Sequence, residues 1–537
     1  MQKDNVKFKI ILLGMFLFGI FGLAKTSWGT CETPCIKSGT VWTCTDISRD
    51  CVQDAVIASE AAWSATNEIR LVAGEVTWAD PGGTNYCSYT VDYTAAMCLH
   101  RGVKLTGGYG GGVTKVTLTG PNVSGAILYY ANSTARDANE AFEFSGFTID
   151  MNGILTNGSG FLVIANSGYP TAIYPHGRLM TGMKIHDNIF QNGGYETIGI
   201  NGAVTGVAYN NTFINVETAI RGEGADYTWN LLNGSPIPYG SGDAFYFEDN
   251  VIKSSVNREF GGWTAGQGFP GIVTRYNTID MTNSTAQQIL DLHGLQSMTS
   301  ASDGSCNSSC SSSGVCYTTS CCEQWSQMKA EIYGNIWTNY GVSNPLEWMR
   351  HRGSWMMMFN NTITGTATAG SINYYQYSCD SCQRPASPAF SQHVQNTYVW
   401  NNTANGNARP YVKLADLCAD NVAGAPYTIT ANTDYWNYNA NSLNGSTQKG
   451  INCGNAAPTS NCSIGDGYWQ TSYTPCSAPP TTMADMKTYT QAAKFYKCTA
   501  SNAWTLYYQP YSYPHPLRLT DPSDTTPPSA PTGLTVR

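Results

Sequence analysis

Between Met183 and Ala404 the chain repeats one short pattern of polar and apolar positions. The copies are Asp187-Asn188-Ile189-Phe190, Asn210-Asn211-Thr212-Phe213, Asp249-Asn250-Val251-Ile252, Tyr276-Asn277-Thr278-Ile279, Gly334-Asn335-Ile336-Trp337, Asn360-Asn361-Thr362-Ile363 and Asn401-Asn402-Thr403-Ala404. The second residue is Asn and the fourth apolar in every copy, and the steps between the Asn residues are 23, 39, 27, 58, 26 and 41. Such self-similarity marks a repeat architecture, in which one unit cannot bury its apolar face until another stacks on it. The short steps read as single coils, the longer ones as coils carrying loops or a missed repeat.

Coils stacked about 4.8 Å apart bring equivalent residues into line. Asn side chains so aligned hydrogen-bond along the stack and hold a turn, while the apolar fourth residues point inward. The pattern therefore predicts an all-β chain, a right-handed parallel β-helix; an antiparallel sandwich with Asn-rich turns is the alternative. Asp50 to Ala65 predicts a capping helix with Cys51, Ala55, Val56, Ala58 and Ala62 on one face, and Ile69 to Trp78 alternates as a first strand. Gly102 to Gly108 and Phe142 to Ile149 read as the first coils. Interruptions at Glu223 to Ser241, Glu259 to Pro270 and Ser297 to Gln324 read as loops, which on solenoids gather at the binding side.

The composition narrows the setting. Only 12% of residues are charged and the net charge is -8, which argues against nucleic acid as a partner. Lys3, Lys7 and Lys9 precede an apolar run from Ile10 to Ala24, the form of an export signal, with a retained anchor as the alternative. Eighteen cysteines in an exported chain read as disulfides. They lie outside the repeats, where stacking gives no support. Zinc is the alternative for the group from Cys306 to Cys322. The domains expected are a signal peptide over 1–29, an N-terminal cap and first coil over 30–105, coils over 106–407, a disulfide-rich C-terminal cap over 408–520, and a tail over 521–537.

The closing stretch, Tyr468-Trp469-Gln470-Thr471 and then Phe495 to Leu517, resembles the end of secreted bacterial right-handed parallel β-helix repeat proteins, whose architecture is shared with pectate lyases and polygalacturonases. The order of elements from residue 45 to 520 is similar to theirs as well. The resemblance implies the fold and export, with extracellular or cell-surface location. The aromatics Trp504, Tyr507, Tyr508, Tyr511 and Tyr513 are read either as a sugar-stacking platform or as cover for the open end of the stack. Asp524 to Val536 resembles a linker and the first strand of a fibronectin type III domain, whose remainder is absent; the two readings are a piece of a larger surface protein, with further domains beyond residue 537, and a bare tail.

A second line of segments follows the Asn line by about a dozen residues, each ending in Gly: Ile198 to Gly202, Ala219 to Gly222, Glu259 to Gly262, Asp291 to Gly294 and Arg350 to Gly353. Two positions before that Gly stand Ile200, Ile220, Phe260, Leu292 and His351, the inward row. The outward neighbours then contain Asn201, Arg221, Glu259, Asp291, His293, Arg350 and Arg352. In a glycosidase Glu259 and Asp291 would be the paired carboxylates. In a lyase an Arg or His would take the proton beside a uronate carboxylate. A solvated, salt-bridged face is the bland reading. The catalytic candidates are Glu259, Asp291, His293, Arg350 and Arg352; the substrate-binding candidates are Asn201, Arg221 and Trp263. The aspartate cluster of pectate lyases and the paired aspartates with Gly-His-Gly of polygalacturonases are absent. No cofactor is expected, a structural calcium ion aside. The function expected is recognition, with or without cleavage, of extracellular polysaccharide; the competing class is a non-catalytic surface or adhesive protein. The sequons at Asn210, Asn360 and Asn401 read as turn positions rather than glycan sites.

Overall fold

The computed structural model describes residues 31–79, 95–120, 126–131, 140–153, 160–165, 180–193, 196–201, 204–223, 237–253, 262–263, 271–280, 282, 288–292, 329–340, 346–351, 354–365, 370–376, 394–408, 411–416, 429–438, 451–459 and 461–520. The expected signal peptide, the Ser297 to Gln324 insertion with its cysteines, Cys379, Cys382, Cys418 and the tail lie outside them.

The chain is a parallel β-helix. One face is a stack of parallel strands from Val41–Cys44 through Glu68–Ala79, Lys104–Thr119, Glu143–Ser145, Met180–His186, Val204–Tyr209, Phe245–Glu248, Ile272–Arg275, Lys329–Tyr333, Ser354–Phe359 and Val394–Trp400 to Tyr435–Asn437. A bend leads each coil into a short second strand such as Thr212–Ile214 or Thr278–Asp280, again in parallel register. Further parallel strands form the remaining face, as two runs ending at Ile220–Glu223 and beginning at Gly262–Trp263.

Every step of the repeat is a single coil, the 58-residue step included: Thr278 pairs directly with Ile336. The seven Asn residues form one unbroken ladder. In each of Asn188, Asn211, Asn250, Asn277, Asn335 and Asn361, both the backbone N–H and Nδ2 donate to Oδ1 of the next Asn, ending at Asn402. Nδ2 also donates to a backbone carbonyl, as Asn277 does to Phe247 and Arg275. A buried primary amide with two donors and two acceptor lone pairs is thus fully used. The residue before each ladder Asn has positive φ: Asp187, Asn210, Asp249, Tyr276, Gly334, Asn360 and Asn401. Asn, Asp and Gly reach this left-handed region most readily, which explains all but Tyr276. Asn360 and Asn401 are buried, with Nδ2 donating to Thr490 and to the Cys476 carbonyl, so these sequons are turn positions.

The apolar fourth residues line the interior as the row Phe190, Phe213, Ile252, Ile279, Trp337, Ile363 and Ala404. Stacked rings continue it, with Phe190 and Phe213 5.3 Å apart. The N-terminal helix spans Arg49–Ala61 and packs on the first coil. It buries Cys51, Val52, Gln53, Ala55, Val56 and Ser59, whereas Ala58 and Ala62 are exposed. The buried stripe is therefore turned from the one expected. All described cysteines are bonded, among them Cys31–Cys51, Cys35–Cys44, Cys453–Cys476 and Cys462–Cys498.

The C-terminal segment corrects one expectation. Its four strands Asn452–Gly454, Gly467–Gln470, Lys494–Ala500 and Ala503–Tyr508 form a sheet of their own, accompanied by the helix Met483–Ala492. They lie along the flank of the stack as a strap. Phe495 stacks on Trp400 near the last coils, and Arg518 reaches Glu248 four coils earlier. The cause is the outward row two residues before the ladder: Tyr209, Glu248, Arg275, Tyr333, Phe359 and Trp400 stand in register, and all are buried. Large rings facing outward need cover, and Trp469, Phe495 and Tyr508 supply it.

Candidate functional site

Of the sequence-predicted residues, Trp263, Asp291 and Arg350 fall on the face that begins at Gly262–Trp263. There Asp291 pairs in register with Arg350, and Arg350 with Asn373, which pairs with Lys413. Four polar residues thus occupy one line across four successive coils. Leu290 and Leu292, the residues on either side of Asp291 in its strand, are both buried. Leu292 and His351 stand in register and are buried, as the inward row predicts.

The alignment errs on two other coils. Gly262, not Glu259, is the register partner of Asp291, and Trp263 is that of Leu292. The expected match of Phe260 with Leu292 is therefore off by three residues, and Trp263 stands on the line of the core row. Ile220 pairs with Ile198 rather than Ile200, so Arg221 sits beside Gly199 and Asn201 beside Glu223. Arg221 is half-buried. Asn201 and Arg221 belong to a different run of strands from Asp291. Glu259, His293 and Arg352 lie outside the described residues. Anchoring on the terminal Gly fails because loops of unequal length precede it, so Gly carries no register of its own.

Sequence reasoning missed the ionic groups beneath the strap. Arg275 and Glu248 are fully buried and pair at 2.6 Å. Arg275 also donates to the Tyr333 hydroxyl and to the carbonyls of Tyr511 and Ser512, while Glu248 accepts from the His515 N–H and from Arg518. Burial alone would depress the guanidinium, but Glu248 and the neighbouring tyrosines outweigh it and hold Arg275 well above its ordinary value. Asp249 takes Lys487 at 2.6 Å and Arg518 at 2.6 Å, which keep its carboxyl low against burial. Glu331 pairs with Lys329 at 2.9 Å and accepts from Tyr508 Oη and the Gly240 N–H. These ion pairs link the coils to the strap, which is a docking role. The legible signal was the residue two before each ladder Asn, where Glu248 and Arg275 interrupt a run of aromatics.

On earlier coils the same face carries a second group. Lys104 and Lys184 both pair with Glu143, the first at 2.6 Å. His186 donates or accepts at Nδ1 with Asp187 at 2.8 Å, and its Nε2 lies 3.5 Å from Glu143. Burial works against the imidazolium, but Asp187 and Glu143 outweigh it and raise His186; burial likewise pushes Glu143 up, but His186, Lys104 and Lys184 outweigh it and hold its carboxyl low. His186 is buried under Tyr209, stacked at 4.7 Å. The ring is hydrogen-bonded at Nδ1 and buried, with Nε2 facing Glu143 at 3.5 Å.

Among the described residues, Cys31, Asp46 and Cys51 place donor atoms close enough for a metal ion, but the Cys31–Cys51 disulfide removes the thiolates such a site needs. No family model matches the chain, and no curated protein does. Among solved structures, the A-module of a mannuronan C-5 epimerase from Azotobacter vinelandii is similar at 13% identity over 71% of this chain and 89% of that chain, with a TM-score of 0.33. The fold assignment rests on the strand register and the Asn ladder.

Proposed function

We propose that the protein is exported and binds an extracellular polysaccharide along the face that carries Asp291, Arg350, Asn373 and Lys413. The observation behind this is their register: one polar or charged residue per coil, repeated about every 4.8 Å, suits a polymer with a short chemical repeat. The strap takes the other large face out of use, which leaves this one. The disulfides support an oxidising compartment outside the cytoplasm. Binding is favoured over hydrolysis because Gly262 occupies the place beside Asp291 where the second carboxylate was expected.

The test is affinity electrophoresis of the purified protein in acidic and neutral polysaccharides, with reducing ends and unsaturated uronates monitored in parallel. Retardation by at least one polymer is expected, weakened about tenfold in the Arg350→Ala, Lys413→Ala double variant, since two exposed charge contacts of up to about 1 kcal/mol each are lost. No retardation by any polymer, or an unchanged double variant, would sink the reading. A non-catalytic surface protein is the second reading. It is favoured by the adjacent register of Asp291 and Arg350, which lets opposite charges neutralise each other. Asp291→Asn separates the two, because it leaves stability nearly unchanged in either case but alters retardation only if the face binds.

A further inference from the structure

The sheet of the strap has two faces, and the stack uses one. Trp469, Phe495 and Tyr508 stand in register across three strands and pack on the rings of Trp400 and Phe359. The next row, Asn452, Tyr468, Tyr496 and Leu506, is in register across all four strands. By the alternation of a strand it faces away from the coils. Leu506 is 48% exposed, and Tyr468 and Tyr496 are partly exposed. Trp504, also partly exposed, sets its ring edge to face with Tyr468 at 5.9 Å. A row of rings turned to solvent on an otherwise polar surface marks a contact site.

The surroundings of the rings are shaped as well. Gly454 lies in the strand beside Tyr468 and has no left-handed backbone to explain it. A Cβ there would meet the Tyr468 hydroxyl at 2.5 Å. Glycine weakens a strand and marks a close approach, here of the Tyr468 ring laid across its neighbour. Tyr496 Oη donates to Gln470 Oε1 at 3.1 Å, and Gln470 Nε2 donates to the Asn455 carbonyl at 3.3 Å. The amide is thereby held in place, with one donor and one lone pair still to offer. The one charge in these rows, Lys494, stands at the margin opposite Gln470.

We propose that this outward face is a second binding site, for a neutral glycan, with Tyr468 and Trp504 as stacking rings and Gln470 as the amide that orients hydroxyls. The C–H face of a pyranose ring suits the electron-rich face of an aromatic ring, and its hydroxyls suit an amide. An uncharged row gives a charged ligand little to pair with. Size argues against a protein partner: four strands about 4.8 Å apart make a face on the order of 300 Å², well short of the about 800 Å² per partner of a stable interface. The site is separate from the line of Asp291, Arg350, Asn373 and Lys413 and does not rest on it.

The test is affinity electrophoresis of the whole protein in hydroxyethyl cellulose, xyloglucan, galactomannan and soluble starch. At least one should retard it. The Tyr468→Ala, Trp504→Ala double variant should weaken that retardation about tenfold, since two stacking contacts go. Gly454→Ala keeps every ring but tips Tyr468, and should weaken it too. The Arg350→Ala, Lys413→Ala variant should leave it unchanged. Circular dichroism and disulfide mapping check each fold; if the double variant misfolds, Gly454→Ala decides. No retardation by any of the four polymers, or retardation that survives both the ring and the glycine variants, would overturn the proposal. So would sedimentation showing a dimer that Trp504→Ala dissolves, which would give the face to a second copy. Acidic polymers that still retard the protein in that event would leave the other site standing.

Discussion

Asn277 shows what one residue does in this fold. It closes hydrogen bonds to Asn250, Asn335 and two carbonyls at once, all buried. Asn277→Ala leaves those partners unsatisfied, and a loss of roughly 2–4 kcal/mol is expected in denaturant unfolding. Asn277→Asp should also destabilise, because a carboxylate supplies no donor to Asn335. Gly334 is the other sensitive position: φ is +68°, and a Cβ there would meet the Tyr276 ring at 2.7 Å. Gly334→Ala should cost roughly 1–3 kcal/mol, read as a fall in Tm, while Gly153→Ala, equally left-handed but open, reports the backbone share alone. His515 adds a pH dependence. Burial, helped by Arg275 and Arg518 and opposed by Glu248, lowers it to about 4. The unfolded chain binds a proton near 6.5, so this contribution is present above that pH and is lost as pH falls toward 4. The hydrogen-exchange protection factors of residues 511–518, which correct for the intrinsic slowing of exchange in acid, should fall from pH 6.5 to 4, and His515→Gln should flatten that change.

At the scale of elements, the coils were legible and the strap was not. A repeated Asn with an apolar residue two places on is a strong signal, since ladder and core each demand their own residue type. The first position of the phrase was equally informative, being Asp, Asn or Gly in six of the seven copies, the residues that tolerate the left-handed turn. The aromatics near the C-terminus announced burial but not against what. That answer lay two residues before each ladder Asn, where His186 and Tyr209 give way to Tyr333, Phe359 and Trp400. The Asp291–Arg350 line could be found because both flanking strands keep the inward Leu and His. The Glu259 coil misled because its Gly residues imitate a turn without fixing the register. The strap depends on its ion pairs for placement. Arg518→Ala strands Glu248 and Asp249 with fewer partners, so residues 505–520 should become protease-sensitive while the coil strands stay protected. Equal protection of both in variant and wild type would argue against that role.

Taken as a whole molecule, the chain departs from an ordinary solenoid, whose stability is close to a sum of neighbour contacts. The strap joins residues far apart in sequence: Glu248 and Arg518 are separated by 270 positions. Closing such a loop is entropically slow, so coils should form before the strap docks, and refolding should show tyrosine burial lagging behind strand formation. Circular dichroism and fluorescence traces that coincide would contradict this order.

That same strap turns the stack into something with a fixed gauge. Repeat arrays drift in length because a unit can be gained or lost without disturbing the rest. Here each coil from Tyr209 to Trp400 meets its own counterpart, from Arg518 at one end to Phe495 at the other. An added coil would displace every later counterpart by one rung and leave a row of rings bare. Length, which is negotiable in most solenoids, is written here into the cover as well as the coils, and any lineage of this chain would have to change both together.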